Sequence, residues 1–387
     1  MERGPKTGGS ISRHGLLRYI CFSMKKYLAL TGLFFFVFAE TDARQGFSAA
    51  SSFNYGFIIP HRTSMAHLVT GHAYGYEFNL ALPTDGSRPW HCIYNYPVTG
   101  VKIYHMSLGN DQVLGTATAV IPYIDFPLVR RERLVFSFAL GSGLGYNSRH
   151  FNRISNHSNN AIGSGVNGIM HGCFSLSWNI ASRLCFRQSL TITHFSNGGF
   201  QMPNLGINIP SLGAGIVYSL SPPSSFCRQN RDSLSLPDKN IRYTVIFTGG
   251  LKEVYPALGP RYAAYTVFAG AMKPLSFKSS LGGGANLFYD YSVKARMRID
   301  DASAAVPEYK NFRLGVYISH ELTVSRLSVI AQMGVYVLDY YRKDGPVYHR
   351  AGLLYRVNKN LVASFTLKTH YAKADYLEAG LGYVFMK

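Results

Sequence analysis

A histidine and a serine two residues apart stand where a strand-like segment gives way to a loop. The segment 190–196 reads LTITHFS and contains His194 and Ser196. Alternate side chains of a strand share a face, so the imidazole is within reach of the hydroxyl. An imidazole that takes the proton of a serine makes it a nucleophile for acyl transfer. The alternative interpretation is a polar strand end followed by a turn.

The loop after Ser196 contains the residue types that this chemistry requires. An oxyanion is stabilised by main-chain N–H groups that no bulky side chain obstructs. Asn197, Gly198 and Gly199 follow the serine directly. We therefore predict that these three residues form the oxyanion hole.

The third group of the site, which would orient His194, is predicted to be an amide. The sequence has no carboxylate between Glu132 and Asp232. The nearby loop offers Asn204 and Asn208, and an asparagine orients the histidine in some proteases. A distant alternative partner is Glu77, on an earlier predicted strand.

The alternation of side chains predicts which way the pair points. In a membrane barrel the apolar face of a strand meets lipid and the polar face lines the interior. Thr191 and Thr193 mark the interior, with Phe195 as an exception. His194 and Ser196 then face outward near the strand end, where they would meet a substrate that is still embedded in the bilayer.

Composition favours a membrane surface over a nucleic acid as the partner. Of 387 residues only 15% are charged and 14% are aromatic, and the formal net charge is +19. A basic chain attracts anionic partners. Because no dense Lys/Arg run and no nucleic-acid motif is present, we expect a phosphorylated lipid surface and no nucleic acid.

The N-terminal region is typical of an export signal. Residues 24–43 read MKKYLALTGLFFFVFAETDA, with two lysines, a short apolar stretch and small residues near its end. We interpret 24–43 as a secretory signal peptide and 1–23 as an upstream extension. The alternative is an N-terminal anchor helix. The expected location is the bacterial outer membrane.

The remaining chain predicts an all-β, antiparallel transmembrane barrel. Eight long strand-like segments lie between 52 and 221 and eight more between 241 and 386. A strand needs about 9–11 residues to cross a bilayer. We expect one barrel of about 14–16 strands, or alternatively two tandem 8-stranded barrels. The halves are 44–221 and 241–387, and 222–240 is a linker or long loop.

Two features near the chain end bear on this organisation. The segment EAGLGYVFMK, with Glu378, Gly380, Tyr383 and Phe385, resembles the C-terminal assembly signal of outer-membrane barrels, except that it ends in Met-Lys. The sequence THYA at 369–372 also echoes THFS at 193–196. This echo indicates either an old duplication or a chance similarity between barrel strands.

Metal, cofactor and disulfide sites are not predicted. No spacing makes the scattered histidines converge, and the cysteines lack a C-x-x-C pair. The histidines are His67, His72, His91, His105 and His171. Cys92, Cys173, Cys185 and Cys227 are either free thiols or pairs that spacing cannot assign.

The stretch HFSNGGFQMPNLGIN, residues 194–208, resembles the active-site segment of the PagL-type lipid A 3-O-deacylases, also described as acyloxyacyl hydrolases. The resemblance implies an outer-membrane barrel with His194 as base and Ser196 as nucleophile, and no cofactor. It places 197–199 in the oxyanion hole and the family's acidic residue at Asn208. An amide there is a departure, because it cannot stabilise an imidazolium by charge.

These observations together predict a serine esterase that removes an ester-linked acyl chain from lipid A or lipopolysaccharide. Two rivals stay open. One is a non-catalytic porin or structural barrel, and the other is a phospholipase or acyltransferase with the same dyad. The oligomeric state and the acyl chain removed are not predicted.

Overall fold

The chain folds into sixteen antiparallel strands that form two closed barrels. The computed structural model describes residues 46–220, 240–303, 305–371 and 373–386. The first barrel contains β1 Ser48–Gly56, β2 Ala73–Pro83, β3 Val98–Ser107, β4 Thr116–Arg130, β5 Leu134–Asn147, β6 Val166–Ala181, β7 Leu184–Ser196 and β8 Ile207–Ser219. The second contains β9 Arg242–Glu253, β10 Arg261–Pro274, β11 Ser279–Asp290, β12 Phe312–Val324, β13 Leu327–Leu338, β14 Val347–Arg356, β15 Leu361–His370 and β16 Lys373–Met386.

The first and last strands of each half decide how the sheets close. Strand β1 pairs with β8, and β9 pairs with β16. A single barrel would require β8 to pair with β9 instead. The chain therefore forms the two tandem 8-stranded barrels that were predicted as the alternative, and not one barrel of 14–16 strands. Each half satisfies the backbone groups of its own edge strands, which leaves no edge for the other half to complete.

Short helices occupy some connections between strands. They are the α-helices α1 Pro89–Ile93 and α2 Tyr291–Asp300, and the 3₁₀ helices Thr63–Leu68, Glu308–Asn311 and Arg342–Asp344. In the described part of the chain, no helix has the length and apolar character needed to cross a membrane. The predicted signal peptide at 24–43, the extension at 1–23 and all of the predicted linker 222–240 except Asn240 lie outside the described residues.

Side chains alternate across the barrel walls, as the period of two predicts. Large apolar side chains cover the outer face of both barrels, among them Tyr76, Phe78, Leu80, Leu190, Ile192, Phe247, Ile318 and Leu381. The interior of the first barrel holds polar and aromatic groups that are almost completely buried, including Lys102, Tyr123 and His171. Eight-stranded barrels are narrow enough for side chains to fill.

The two barrels contact each other at both ends. At the end with mostly short turns, Trp90 and Tyr94 of the first barrel share an apolar cluster with Val324, Leu327 and Leu353 of the second. The Tyr94 hydroxyl also donates a 2.6 Å hydrogen bond to the carbonyl of Thr323. At the other end, the loop after β7 meets β9 and β10, so the second barrel forms one flank of that loop.

A buried ion pair lies at the centre of the second barrel. Arg350 and Glu378 are fully buried, and Arg350 Nη2 lies 2.6 Å from Glu378 Oε1. The hydroxyls of Thr248 and Thr366 donate to the same carboxylate at 2.6 and 3.0 Å. Glu378 is the polar residue of the predicted assembly signal, and here it neutralises the arginine inside the barrel.

Removal of one partner of this pair is expected to destabilise the second barrel strongly. Glu378→Ala leaves the Arg350 guanidinium buried without its counter-charge, which costs about 3–5 kcal/mol. Chemical unfolding in detergent micelles measures the change in the free energy of unfolding. As a control, Lys343→Ala breaks a pair whose lysine side chain is 66% exposed, and it should leave stability almost unchanged. Equal effects of the two variants on the free energy of unfolding would contradict the role of Glu378 as the counter-charge of Arg350.

Candidate active site

The segment singled out in the sequence lies at one end of the first barrel. Strand β7 ends at Ser196, and β8 begins at Ile207 after the loop 197–206. This end also carries the connections 57–72, 108–115 and 148–165, whereas the opposite end has turns as short as 182–183. The candidate site is therefore at the end that carries most of the long loops.

Phe195 anchors the end of β7 and turns its neighbours outward. Its side chain is fully buried in an apolar cluster with Ile169, Ile207 and Ile209 at the loop end of the barrel. Because alternate residues face opposite ways, His194 and Ser196 lie on the outer face, both half-buried. The predicted outward direction is confirmed, and Phe195 is an apolar interior residue because the barrel interior is apolar at this level.

His194 is held by the amide that lies opposite it on β8. His194 and Asn208 are cross-strand partners. The ring Nδ1 of His194 lies 2.7 Å from Asn208 Oδ1. The amide Nδ2 of Asn208 lies 3.1 Å from Nδ1 of His61, and Nε2 of His61 lies 3.1 Å from the carbonyl of Leu205. No sequence motif points to His61 as a partner of the site, since it is 133 residues from His194 in the chain.

Ser196 is hydrogen-bonded to the loop that follows it. The hydroxyl donates to Asn204 Oδ1 at 3.2 Å, and Asn204 Nδ2 lies 3.0 Å from the same Oγ. The main-chain N–H of Gly198 donates to Ser196 Oγ at 3.1 Å. Among the contacts of the described residues there is no hydrogen bond between Ser196 and His194. Such bonds are often long before substrate binds.

The three predicted oxyanion-hole amides point in different directions. Only that of Gly198 is directed at the serine. The N–H of Asn197 donates to Asn204 Oδ1 at 3.0 Å, and the N–H of Gly199 donates to Asn197 Oδ1 at 3.1 Å. In this conformation the donors that converge on Ser196 are the Gly198 amide and the Asn204 side chain. From the sequence, Asn204 is expected only as a partner for His194, whereas here its side chain contacts Ser196.

Gly206 makes room for the imidazole. Its backbone has a φ of +81°, which favours glycine. A Cβ at this position would lie 2.8 Å from His194 Cε1 and 3.1 Å from the carbonyl of Phe195. A larger residue would therefore push the ring out of the place where Asn208 holds it.

The second barrel supports the loop from its far side. The N–H of Glu253 donates to the carbonyl of Gly199 at 3.0 Å, and the carboxylate of Glu253 accepts from the N–H of Met202 at 3.3 Å. Arg261 Nε donates to the carbonyl of Phe200 at 3.1 Å, with its guanidinium 4.2 Å from the ring centre. These contacts join the loop to β9 and β10.

Glu77 and His370, which sequence patterns relate to His194, both lie inside the barrels and outside the candidate site. Glu77 points into the first barrel, where its carboxylate lies 3.0 Å from Lys102 Nζ, so it is not a partner of the outward-facing His194. His370, the counterpart of His194 in the sequence echo, is buried inside the second barrel, 2.8 Å from the Tyr336 hydroxyl. The two echoed histidines therefore lie on opposite faces of their strands.

Each half of the chain matches the family model of a known group of proteins. Residues 74–217 match the family model of lipid A 3-O-deacylase (PagL), and residues 241–387 match that of the acyloxyacyl hydrolase C-terminal domain. No protein with a curated description matches the sequence.

Two solved structures that the chain resembles share little sequence identity with it. The crystal structure of the outer membrane enzyme PagL is 15% identical, with 43% of this chain and 97% of that chain covered and a TM-score of 0.29. An engineered variant of the Rh. blastica porin is 10% identical, with 88% and 99% covered and a TM-score of 0.18. The family models carry the assignment. One matches the first barrel from β2 to β8 and the other matches the whole second barrel, so the chain belongs to the PagL-type lipid A 3-O-deacylase and acyloxyacyl hydrolase family.

Proposed function

We propose that the protein is a serine esterase of the bacterial outer membrane that removes an ester-linked acyl chain from lipid A. The observation that carries this proposal is the outward-facing pair His194 and Ser196, with His194 oriented by Asn208. A membrane protein that acts on a lipid needs its reactive groups on the lipid-facing side. Family membership supports lipid A as the substrate.

The proposed reaction proceeds in two acyl-transfer steps. The Ser196 hydroxyl rotates from Asn204 toward His194, which takes its proton as Oγ attacks the ester carbonyl. Collapse of the tetrahedral intermediate breaks the bond to the sugar oxygen, which receives the proton from His194. Water, activated by His194 in the same way, then releases the fatty acid from Ser196.

The oxyanion of each intermediate requires donors that are already in place. The Gly198 N–H and the Asn204 side-chain NH₂ both approach Ser196 Oγ, so they are the donors nearest to the developing charge. The N–H groups of Asn197 and Gly199 are bonded to side-chain oxygens of Asn204 and Asn197, so they join the proposed oxyanion hole only if the loop turns them toward the substrate. Donors fixed by the loop cost little reorganisation during the reaction.

The position of the site agrees with a substrate in the outer leaflet. Outer-membrane barrels carry their long loops outside and their short turns on the periplasmic side. The site lies at the end with most of the long connections. The net charge of +19 favours the phosphates of lipid A as anionic partners.

The packed interior speaks against the porin alternative. Porins have many more strands and an aqueous channel, whereas eight strands leave space only for side chains or one small ligand. Lys102, Tyr123 and His171 fill the middle of the first barrel, each at most 3% exposed. The phospholipase and acyltransferase alternatives share the proposed dyad and differ in the acyl donor or acceptor.

Loss of the nucleophile is expected to abolish deacylation. Lipid A exposed to the wild-type protein should lose one acyl chain, and lipid A exposed to Ser196→Ala should keep it. Mass spectrometry of extracted lipid A measures the difference. Ser175→Ala, which removes a hydroxyl inside the same barrel, is the matched control and should behave as wild type. Unchanged lipid A with the wild-type protein would overturn the proposal, and release of fatty acid from phospholipid alone would favour the phospholipase.

Asn204 is expected to act in the transition state more than in substrate binding. Asn204→Ala removes a donor at the oxyanion, and loss of one such donor lowers kcat by about 100-fold or more. Steady-state kinetics on a soluble ester in detergent should show the fall in kcat with little change in KM. A rise in KM at constant kcat would instead assign Asn204 to substrate binding.

A further inference from the structure

We propose that His61 is a positioning residue that sets the direction of the Asn208 amide. Through this amide it decides which ring nitrogen of His194 carries the proton. This inference rests on the proposed function, because it concerns the base of that reaction. Three hydrogen bonds link Leu205, His61, Asn208 and His194 in sequence, at 3.1, 3.1 and 2.7 Å.

One carbonyl oxygen determines the donor and acceptor roles along this chain. The oxygen of Leu205 only accepts, so Nε2 of His61 must carry a proton and donate. In a neutral ring Nδ1 of His61 is then an acceptor, and it faces the NH₂ end of Asn208. The oxygen end of Asn208 is left for His194, whose Nδ1 must donate. The lone pair of His194 is therefore on Nε2, where a general base needs it.

An amide in this position has to be oriented by a second hydrogen-bond partner, whereas a carboxylate does not. Both oxygens of a carboxylate accept, so either one holds a histidine with Nδ1 protonated. Asparagine presents an acceptor on one side and donors on the other. Turned by 180°, Asn208 would offer its NH₂ to Nδ1 of His194, which would then accept and leave the proton on Nε2. A histidine in that tautomer cannot take the proton of Ser196.

The backbone brings His61 to this position. Beyond β1 the ladder with β8 continues, because the N–H of Ile59 donates to the carbonyl of Asn208 at 2.9 Å. The N–H of His61 then donates to the carbonyl of Ile59 at 3.0 Å, which folds the chain back over Asn208. The loop after β1 thus carries an imidazole to the face of Asn208 that is turned away from His194.

The test combines a deletion with a rescue. His61→Ala should lower kcat on a soluble ester by about 100-fold, the low end of what a general base contributes, with KM unchanged. Adding Asn208→Asp in the same chain should restore kcat to within about tenfold of wild type, because a carboxylate holds His194 without His61. His67→Ala is the matched control, since His67 is an exposed histidine whose Nε2 bonds to the carbonyl of Ser158.

Two further measurements separate the possible failures. Nitrogen NMR of labelled histidine should find His194 protonated on Nδ1 in the wild type and almost entirely on Nε2 in His61→Ala. A fluorophosphonate probe reports whether Ser196 is a nucleophile at all, independently of the lipid. If the wild type is neither labelled nor active, the proposed function fails. If it is labelled and active, unchanged kcat in His61→Ala, or no rescue by Asn208→Asp, overturns the role of His61.

Discussion

The constraint on which this structure depends is that a β-sheet in lipid has to pair every backbone N–H and C=O group. An open edge would place unpaired polar groups in hydrocarbon, at a cost of several kcal/mol each. Each half of the chain meets this constraint separately, through β1 with β8 and β9 with β16. Closure at eight strands in turn fixes the interior, because so narrow a wall encloses side chains. A site that binds a substrate therefore has to lie on the outer surface or in the loops.

The strict alternation in such a wall explains how far the candidate site follows from the sequence. His194 and Ser196 are outward because a period of two allows nothing else once Thr191 and Thr193 face inward. The contact with Asn208 was also foreseeable, since a motif that spans two neighbouring strands pairs their residues across the turn. Strand lengths and the count of eight segments in each half gave the fold class.

Other features depend on tertiary geometry that no local pattern encodes. Sequence alone left one large barrel and two small ones open, because both satisfy the same strand lengths. The role of His61 requires the loop after β1 to fold back over β8. The direction of the loop amides is decided by three side chains: the N–H of Asn197 donates to Asn204, that of Gly198 to Ser196, and that of Gly199 to Asn197. A sequence identifies the hydrogen-bond donors in such a loop but not the direction in which each of them points.

The contact between the second barrel and the loop 197–206 has a consequence for how the protein unfolds. Three hydrogen bonds hold this loop against the second barrel. Glu253 N–H and Arg261 Nε donate to the carbonyls of Gly199 and Phe200, and the N–H of Met202 donates to the Glu253 carboxylate. At about 1 kcal/mol each, they couple the local order of this loop to the second barrel by about 3 kcal/mol. By its position in the sequence the loop belongs to the first barrel, but its order depends on both barrels. Heat or denaturant that opens the second barrel would therefore loosen the loop while the first barrel is still closed.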